Sequence, residues 1–261
     1  MIYYNQHNYS HIPYPSPTLP KATVKSGGCG VCCASMVVGE LGDSTVPPEK
    51  MAPYAITVGA RVVGGTDMRR LSDAISRDFA LEHKESSSIE ELLETLREGG
   101  MAICNPSGDT KTRSGIFSNG GHYIVAAGIA TDGRIIIYDP GLYSGKYNLP
   151  HRKEAVTLDG SRLLVKADIL HADCAARAPR YHLFKGGEDM TGEHFNEMAE
   201  ERENRTNPIY LKVEDVPEYW REDVKELIAL GAIKGDGKNP VAMRRETLKA
   251  VIVAHRLYKR I

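Results

Sequence analysis

Three side chains in this chain can act together in covalent chemistry: a cysteine at the head of an apolar segment, a histidine after a Gly-Gly pair, and an aspartate ahead of Pro-Gly. Cys29 lies in Ser26-Gly27-Gly28-Cys29-Gly30-Val31-Cys32-Cys33-Ala34-Ser35-Met36. A glycine-rich turn delivers it onto the first residues of what reads as a buried helix. Backbone N–H groups at a helix start have no intrahelical acceptor and carry partial positive charge. A thiol placed there is pushed towards thiolate, the form that attacks electrophiles. The glycines allow a tight turn and leave room beside the sulfur. Such a nucleophile needs a base, usually histidine, and a group to orient it. His122 follows Asn119-Gly120-Gly121 and opens a predicted strand over 122–127; Asp139 ends the next, over 134–138, with Thr131-Asp132-Gly133 as the hairpin signal between them. An antiparallel hairpin brings the start of one strand near the end of its partner, and loop register decides whether the two side chains share a face. A carboxylate at the distal ring nitrogen would set the tautomer and favour the imidazolium. Singly, a strand-edge histidine is more often structural and an Asp before Pro-Gly is ordinarily a turn residue. Their occurrence together, in this order, is what points to catalysis.

The elements that must position these residues read as helices first and strands after. Residues 1–28, rich in Pro, Tyr and His, form an extended arm whose aromatics can dock on a core. The helix opened by Cys29 runs to about Leu41, where Gly42 stops it. Pro47-Pro48-Glu49 starts a second helix reaching about Ala60. Thr66-Asp67 caps a third, with Met68, Leu71, Ile75 and Phe79 on one face. Ser88-Ile89-Glu90-Glu91 has the form of a capping box, and Gly99-Gly100 closes the fourth helix. Strands follow at 101–104, 122–127 and 134–138, with others near 155–158, 163–166 and 181–184. This order is an α+β pattern, not an alternating βα one. Residues 186–205 carry seven acidic and two basic side chains, an acidic connector with a helix beginning at Thr191. Beyond it, Val224, Leu227 and Ile228 form one helical stripe and Leu248, Val251 and Ile252 another.

Composition narrows the function classes. The 261 residues are 41% hydrophobic and 26% charged with a net charge of −1, so a real core is available and nothing favours nucleic acid or anionic lipid as partner. Five cysteines, three of them crowded at Cys29, Cys32 and Cys33, are an odd number and no disulfide framework, so at least one thiol is free. The start, Met1-Ile2-Tyr3-Tyr4-Asn5-Gln6, lacks the basic and apolar regions of a signal peptide. No apolar run approaches the roughly 20 residues of a membrane span, so a soluble chain of open compartment is expected. Cys29-Gly30-Val31-Cys32 is also a C-x-x-C at a helix start, the arrangement of dithiol oxidoreductases. Those place it after a buried strand, and Ala22-Thr23-Val24-Lys25-Ser26 is a poor one. A zinc site is weaker still, because Cys104 and Cys174 are isolated. No metal or organic cofactor is implied.

Tyr4-Asn5-Gln6, Ser26-Gly27-Gly28-Cys29-Gly30, Gly120-Gly121-His122-Tyr123 and Tyr138-Asp139-Pro140 make the first 185 residues resemble the papain-like cysteine peptidases related to the bacteriocin-processing (double-glycine) peptidases. The resemblance implies an α+β papain-like fold, a Cys29–His122–Asp139 triad, and Gln6 as donor to the oxyanion. Two departures stand out: Val31-Cys32 where relatives commonly carry Pro-Thr, and Cys33 beside them. The segment from Val216-Pro217-Glu218-Tyr219-Trp220 to His255-Arg256-Leu257-Tyr258 resembles a single S-layer-homology-like helical unit. Such units attach enzymes to cell-envelope polymers, often in threes, and similar tails occur on phage-associated hydrolases; a small helical cap on the catalytic domain is the alternative. The expected organisation is a catalytic domain over 1–185, an acidic linker over 186–207 and a helical module over 208–261. The expected activity is cleavage of a peptide amide, or of a peptide bridge of peptidoglycan, through a Cys29 thiolate and an acyl-enzyme. The competing expectations are a papain-like binding domain without turnover and a dithiol oxidoreductase using Cys29 and Cys32.

Overall fold

Glycine and proline punctuate the first eighty residues into short helices, and the computed structural model describes residues 1–42, 44–187 and 207–259. A 3-10 turn, Gln6–Asn8, and one helical turn, α1 (Val24–Gly27), lead into α2 (Cys29–Leu41). Every residue of α2 from Gly30 to Val38 is buried, so the helix that starts at Cys29 is a core helix, enclosed on every side along that stretch. Gly42 closes it by donating its N–H to the Val38 carbonyl at 3.0 Å. Next come α3 (Pro48–Thr57), a two-residue hairpin of β1 (Arg61–Val62) and β2 (Gly65–Thr66), and α4 (Met68–Asp78). Pro48 occupies the first turn of α3, which ends three residues before Ala60 because Gly59 takes a φ of +72°. Asp67 caps α4, its carboxylate accepting from the Arg70 N–H.

The remainder of the first unit is β3 (Leu81–Ser86), α5 (Ile89–Arg97), β4 (Met101–Cys104), β5 (Ile124–Ile129), β6 (Ile135–Tyr138), α6 (Pro150–Ala155), β7 (Val156–Asp159), β8 (Arg162–Val165), α7 (Ala167–Asp173) and β9 (Tyr181–Gly186). Seven strands form one sheet in the order β3-β9-β4-β5-β6-β8-β7, each neighbouring pair antiparallel. The fold is therefore α+β. Alternation along β4 shows how the sheet divides the core: Met101 and Ile103 pack with α2 and α4, Ala102 and Cys104 on the opposite side with Leu92 and Leu96 of α5. Burial on both faces is why β4 is apolar throughout.

Three local readings differ from the pattern. β3 was not legible, because Leu-Glu-His-Lys-Glu-Ser is a polar edge strand with only Leu81 and Ser86 buried. Ser88 does cap α5, accepting from the Glu90 and Glu91 N–H groups, but the reciprocal half of a capping box is absent: the Ser88 N–H donates to Ser86 Oγ. The strand read from His122 begins at Ile124, and the His122 N–H donates to the Pro106 carbonyl at 3.3 Å.

The chain divides into two compact units, residues 1–189 and 190–261. The second has its own core. β10 (Ile209–Tyr210) pairs with β11 (Met243–Arg244), and α8 (Glu218–Ala229) and α9 (Arg245–Tyr258) bury Trp220, Val224, Leu227, Leu248 and Ile252 together. Ile228 and Val251, from the two predicted stripes, pack at its margin. The acidic linker and its helix from Thr191 lie outside the described residues apart from 186, 187 and 207. Among the described residues no helix is long and apolar enough to cross a membrane.

Candidate active site

Cys29 is the first residue of α2 and is half-buried, whereas Cys32 and Cys33 on the next turn are fully enclosed. Burial alone would push the Cys29 thiol up. A hydrogen bond and charge from His122, together with the Tyr123 and Gly30 backbone N–H groups, outweigh it and lower the thiol below its ordinary range. The Gly30 N–H is one of the donors of the helix start that has no intrahelical acceptor, and it lies at the thiol. His122 Nε2 lies 2.7 Å from Asp139 Oδ1, which leaves Nδ1 as the ring nitrogen available to the thiol. Burial disfavours the imidazolium, but Asp139 and then Cys29 favour it more, and the ring is pushed up to about 9. Strand register explains the encounter: Val125 of β5 pairs with Tyr138 of β6, so the residues just beyond this end of the ladder meet.

His122 arrives from an irregular connection that two buried side chains pin down. Asp173 accepts from the Ile116 and Phe117 N–H groups at 3.0 and 3.3 Å, and Arg152 donates to the Gly115 carbonyl and to Asn119 Oδ1 at 3.1 and 2.7 Å. Asp139, with no solvent exposure, is held as firmly. Besides His122 it accepts from Lys146 Nζ (2.5 Å), the Tyr147 hydroxyl (2.6 Å) and the Gly141 N–H (2.8 Å). Its burial is overcome by His122 and Lys146, which keep the carboxyl well below the usual range. Neither Lys146 nor Tyr147 was a sequence candidate. Pro140-Gly141 marked a turn after Asp139, but nothing in the pattern said that the segment carrying Lys146 and Tyr147 folds back onto Asp139. Gly141 also packs against the ring, since a Cβ there would sit 3.0 Å from His122 Cε1.

The arm fastens to the same place. Tyr3 donates its hydroxyl to the Asp139 carbonyl at 2.6 Å, Asn5 Nδ2 donates to Leu142 O at 2.7 Å, and the Gln6 N–H donates to Pro140 O at 2.8 Å. The Gln6 side chain then reaches the approach to Cys29, where Nε2 donates to the Lys25 carbonyl at 2.9 Å; its buried Oε1 has no protein partner. Cys29, His122 and Asp139 thus converge, and Gln6 bridges the Asp139 loop and the segment ahead of Cys29. Cys32 and Cys33, which the sequence left without a role, are core residues packed among Val31, Met36 and Val37, their thiols raised by burial. Among the described residues no three His, Cys, Asp or Glu side chains gather as a metal site. No model of a known protein family matches the chain, and no curated protein matches it either.

Proposed function

We propose that this chain is a papain-like cysteine peptidase or amidohydrolase that cleaves a peptide amide through a Cys29 acyl-enzyme. The observation that carries the reading is the convergence of Cys29 at the head of α2, the His122 ring and buried Asp139, whose Oδ1 lies 2.7 Å from His122 Nε2, with the thiol lowered and the imidazole raised beside it. That combination favours a thiolate–imidazolium pair. Cys29 attacks the amide carbonyl, His122 gives its proton to the leaving amine, and Asp139 holds the ring in one orientation. Gln6 Nε2, with one N–H on Lys25 O, offers its second to the oxyanion beside the Cys29 N–H. The dithiol alternative is disfavoured because Cys32 is enclosed and kept as thiol. The resemblance of residues 208–261 to an S-layer-homology unit supports attachment to a cell-envelope polymer, with peptidoglycan peptides as the corresponding substrate.

Alkylation tests the array before any substrate is known. Iodoacetamide at pH 7, with adducts mapped by mass spectrometry, should modify Cys29 fastest, and His122→Ala should slow that reaction. Faster labelling of Cys32 or Cys33, or a Cys29 rate indifferent to His122, would remove the peptidase reading.

A further inference from the structure

Close to Cys29, a pocket of about 500 Å³ is lined by Leu19 and Lys21 of the arm, Ser26 and Gly27 just ahead of the nucleophile, and Arg61 and Gly64 of the β1–β2 hairpin, among others. Its lining contains two cations and no Asp or Glu. Arg61 is fixed in place: Nε donates to Tyr14 O at 2.8 Å, Nη1 to Val62 O and Gly65 O at 2.6 and 2.7 Å, and the guanidinium stacks 4.4 Å over the Tyr14 ring. All three hydrogen-bond acceptors are neutral carbonyls, so the charge is oriented but not neutralised. Arg61 Nη2 has no hydrogen-bond partner among the described residues and lies 3.6 Å from where a Gly27 Cβ would stand, two residues from the nucleophile. Neither Arg61 nor Lys21 forms an ion pair among the described residues. Oriented, uncompensated guanidinium groups suit carboxylates, which accept its N–H groups in the plane of the fork.

The side of the scissile bond follows from the mechanism, and the inference rests on the peptidase reading. His122 must face the leaving amine, so the acyl portion of the substrate leads away from His122. None of the pocket residues belongs to the β5–β6 end of the sheet; all come from the arm, the approach to Cys29 and the β1–β2 hairpin. We propose that this pocket is an acyl-side subsite for an acidic residue, and that Arg61 and Lys21 make the protein selective for peptides carrying a carboxylate there. Leu19, Pro20, Ala22 and Val63 supply an apolar wall for the methylenes of that side chain.

Cleavage-site profiling decides it. The full-length protein is incubated with a proteome-derived tryptic peptide library and the cut sites are read by mass spectrometry. Asp or Glu should be enriched roughly 10-fold or more over Asn and Gln at one acyl-side position, as a hydrogen-bonded charge would give. Arg61→Gln should abolish the enrichment and Lys21→Glu should reduce it. Because Arg61 also ties the hairpin to the arm, the exposed Lys21 decides the matter if Arg61→Gln fails to fold. Cleavage without acidic enrichment, or enrichment untouched in Lys21→Glu and in any folded Arg61→Gln protein, overturns the subsite and leaves the peptidase reading intact. If nothing is cut, the same library is passed over immobilised Cys29→Ala protein and its Lys21→Glu derivative. Retention of acidic over amide peptides that depends on Lys21 sustains the pocket, and the peptidase reading is then decided by the Cys29 alkylation test. Equal retention, or none, overturns the pocket.

Discussion

In the proposed mechanism charge alternates along the site, from a Cys29 thiolate to a His122 imidazolium to the Asp139 carboxylate, which Lys146 Nζ also contacts at 2.5 Å. His122 favours the charged forms of both Cys29 and Asp139, and they favour its own, which offsets the cost of burying the groups. The pH dependence has a definite sign. The active pair exists when Cys29 has lost its proton and His122 has kept one, so kcat/KM should rise through the lowered thiol pKa and fall as His122 deprotonates near pH 9. The two limbs belong to the coupled pair. An acid limb in the ordinary thiol range, about 8.5, would mean that no ion pair forms in the resting protein. Lys146→Met removes the cation on the far side of Asp139 and leaves that carboxylate to His122. The alkaline limb should move to higher pH and stability should drop by about 3 kcal/mol, as for a broken buried pair. A merely structural lysine would lower the melting temperature and leave the limb where it was. Gln6→Ala should cut kcat by roughly 10²–10³ with KM little changed, because the oxyanion forms in the transition state.

At the scale of elements, the first turn of α2 is tightly enclosed by its neighbours. A Cβ on Gly30 would stand 2.8 Å from both Thr66 Cβ and Met68 Cε, and one on Gly28 would meet the Val24 backbone at 2.7 Å. These glycines are present for the close approach of α1, β2 and α4 to the head of the helix. Gly30→Ala should therefore cost about 1–3 kcal/mol in urea unfolding, the range for overpacking. It should also slow alkylation of Cys29 by shifting the sulfur from the Gly30 and Tyr123 N–H groups. A stable Gly30→Ala protein with unchanged alkylation would show that the helix start tolerates movement. The arm acts as a clamp on a second element, the Asp139–Leu142 loop, through Tyr3, Asn5 and Gln6.

Across the whole chain, every residue of the array lies in the first unit and the second has a separate core. A protein comprising residues 1–189 should keep the Cys29 alkylation rate within about twofold and match the full chain in hydrolysing any small soluble amide that the full chain cleaves. If residues 208–261 form an attachment module, that shortened protein should lose co-sedimentation with cell-wall material while full-length Cys29→Ala keeps it. A shortened protein that melts several degrees lower and loses activity would identify the tail as a cap on the catalytic unit. About 55 residues make a marginal core of their own, so the comparison is informative in either direction.

Much of this was legible because it is local. Gly-Gly-Cys-Gly ahead of an apolar run announces a cysteine at a helix start, Asp67 and Ser88 announce caps, and Thr131-Asp132-Gly133 announces the turn joining β5 to β6. Helical and strand periodicities depend on neighbours a few residues away, and α2, α4, α5, β4 and β6 fall within one or two residues of where the pattern sets them. What tertiary structure decided is long-range. His122 and Asp139 are 17 positions apart and meet because the β5–β6 register brings their chain segments together and buried Asp173 and Arg152 hold the connection ahead of His122; Tyr3 meets Asp139 across 136 positions. Lys146 is a buried cation whose only sign in the sequence is a lysine in a loop, since the carboxylate that makes its burial tolerable is brought to it by the fold. The polar edge strand β3 is likewise specified by pairing with β9, about a hundred residues later, and not by its own composition. Sequence by itself determined which groups could react; register and loop packing determined that they meet, because contacts between distant segments are set by the sum of all packing and leave no local trace.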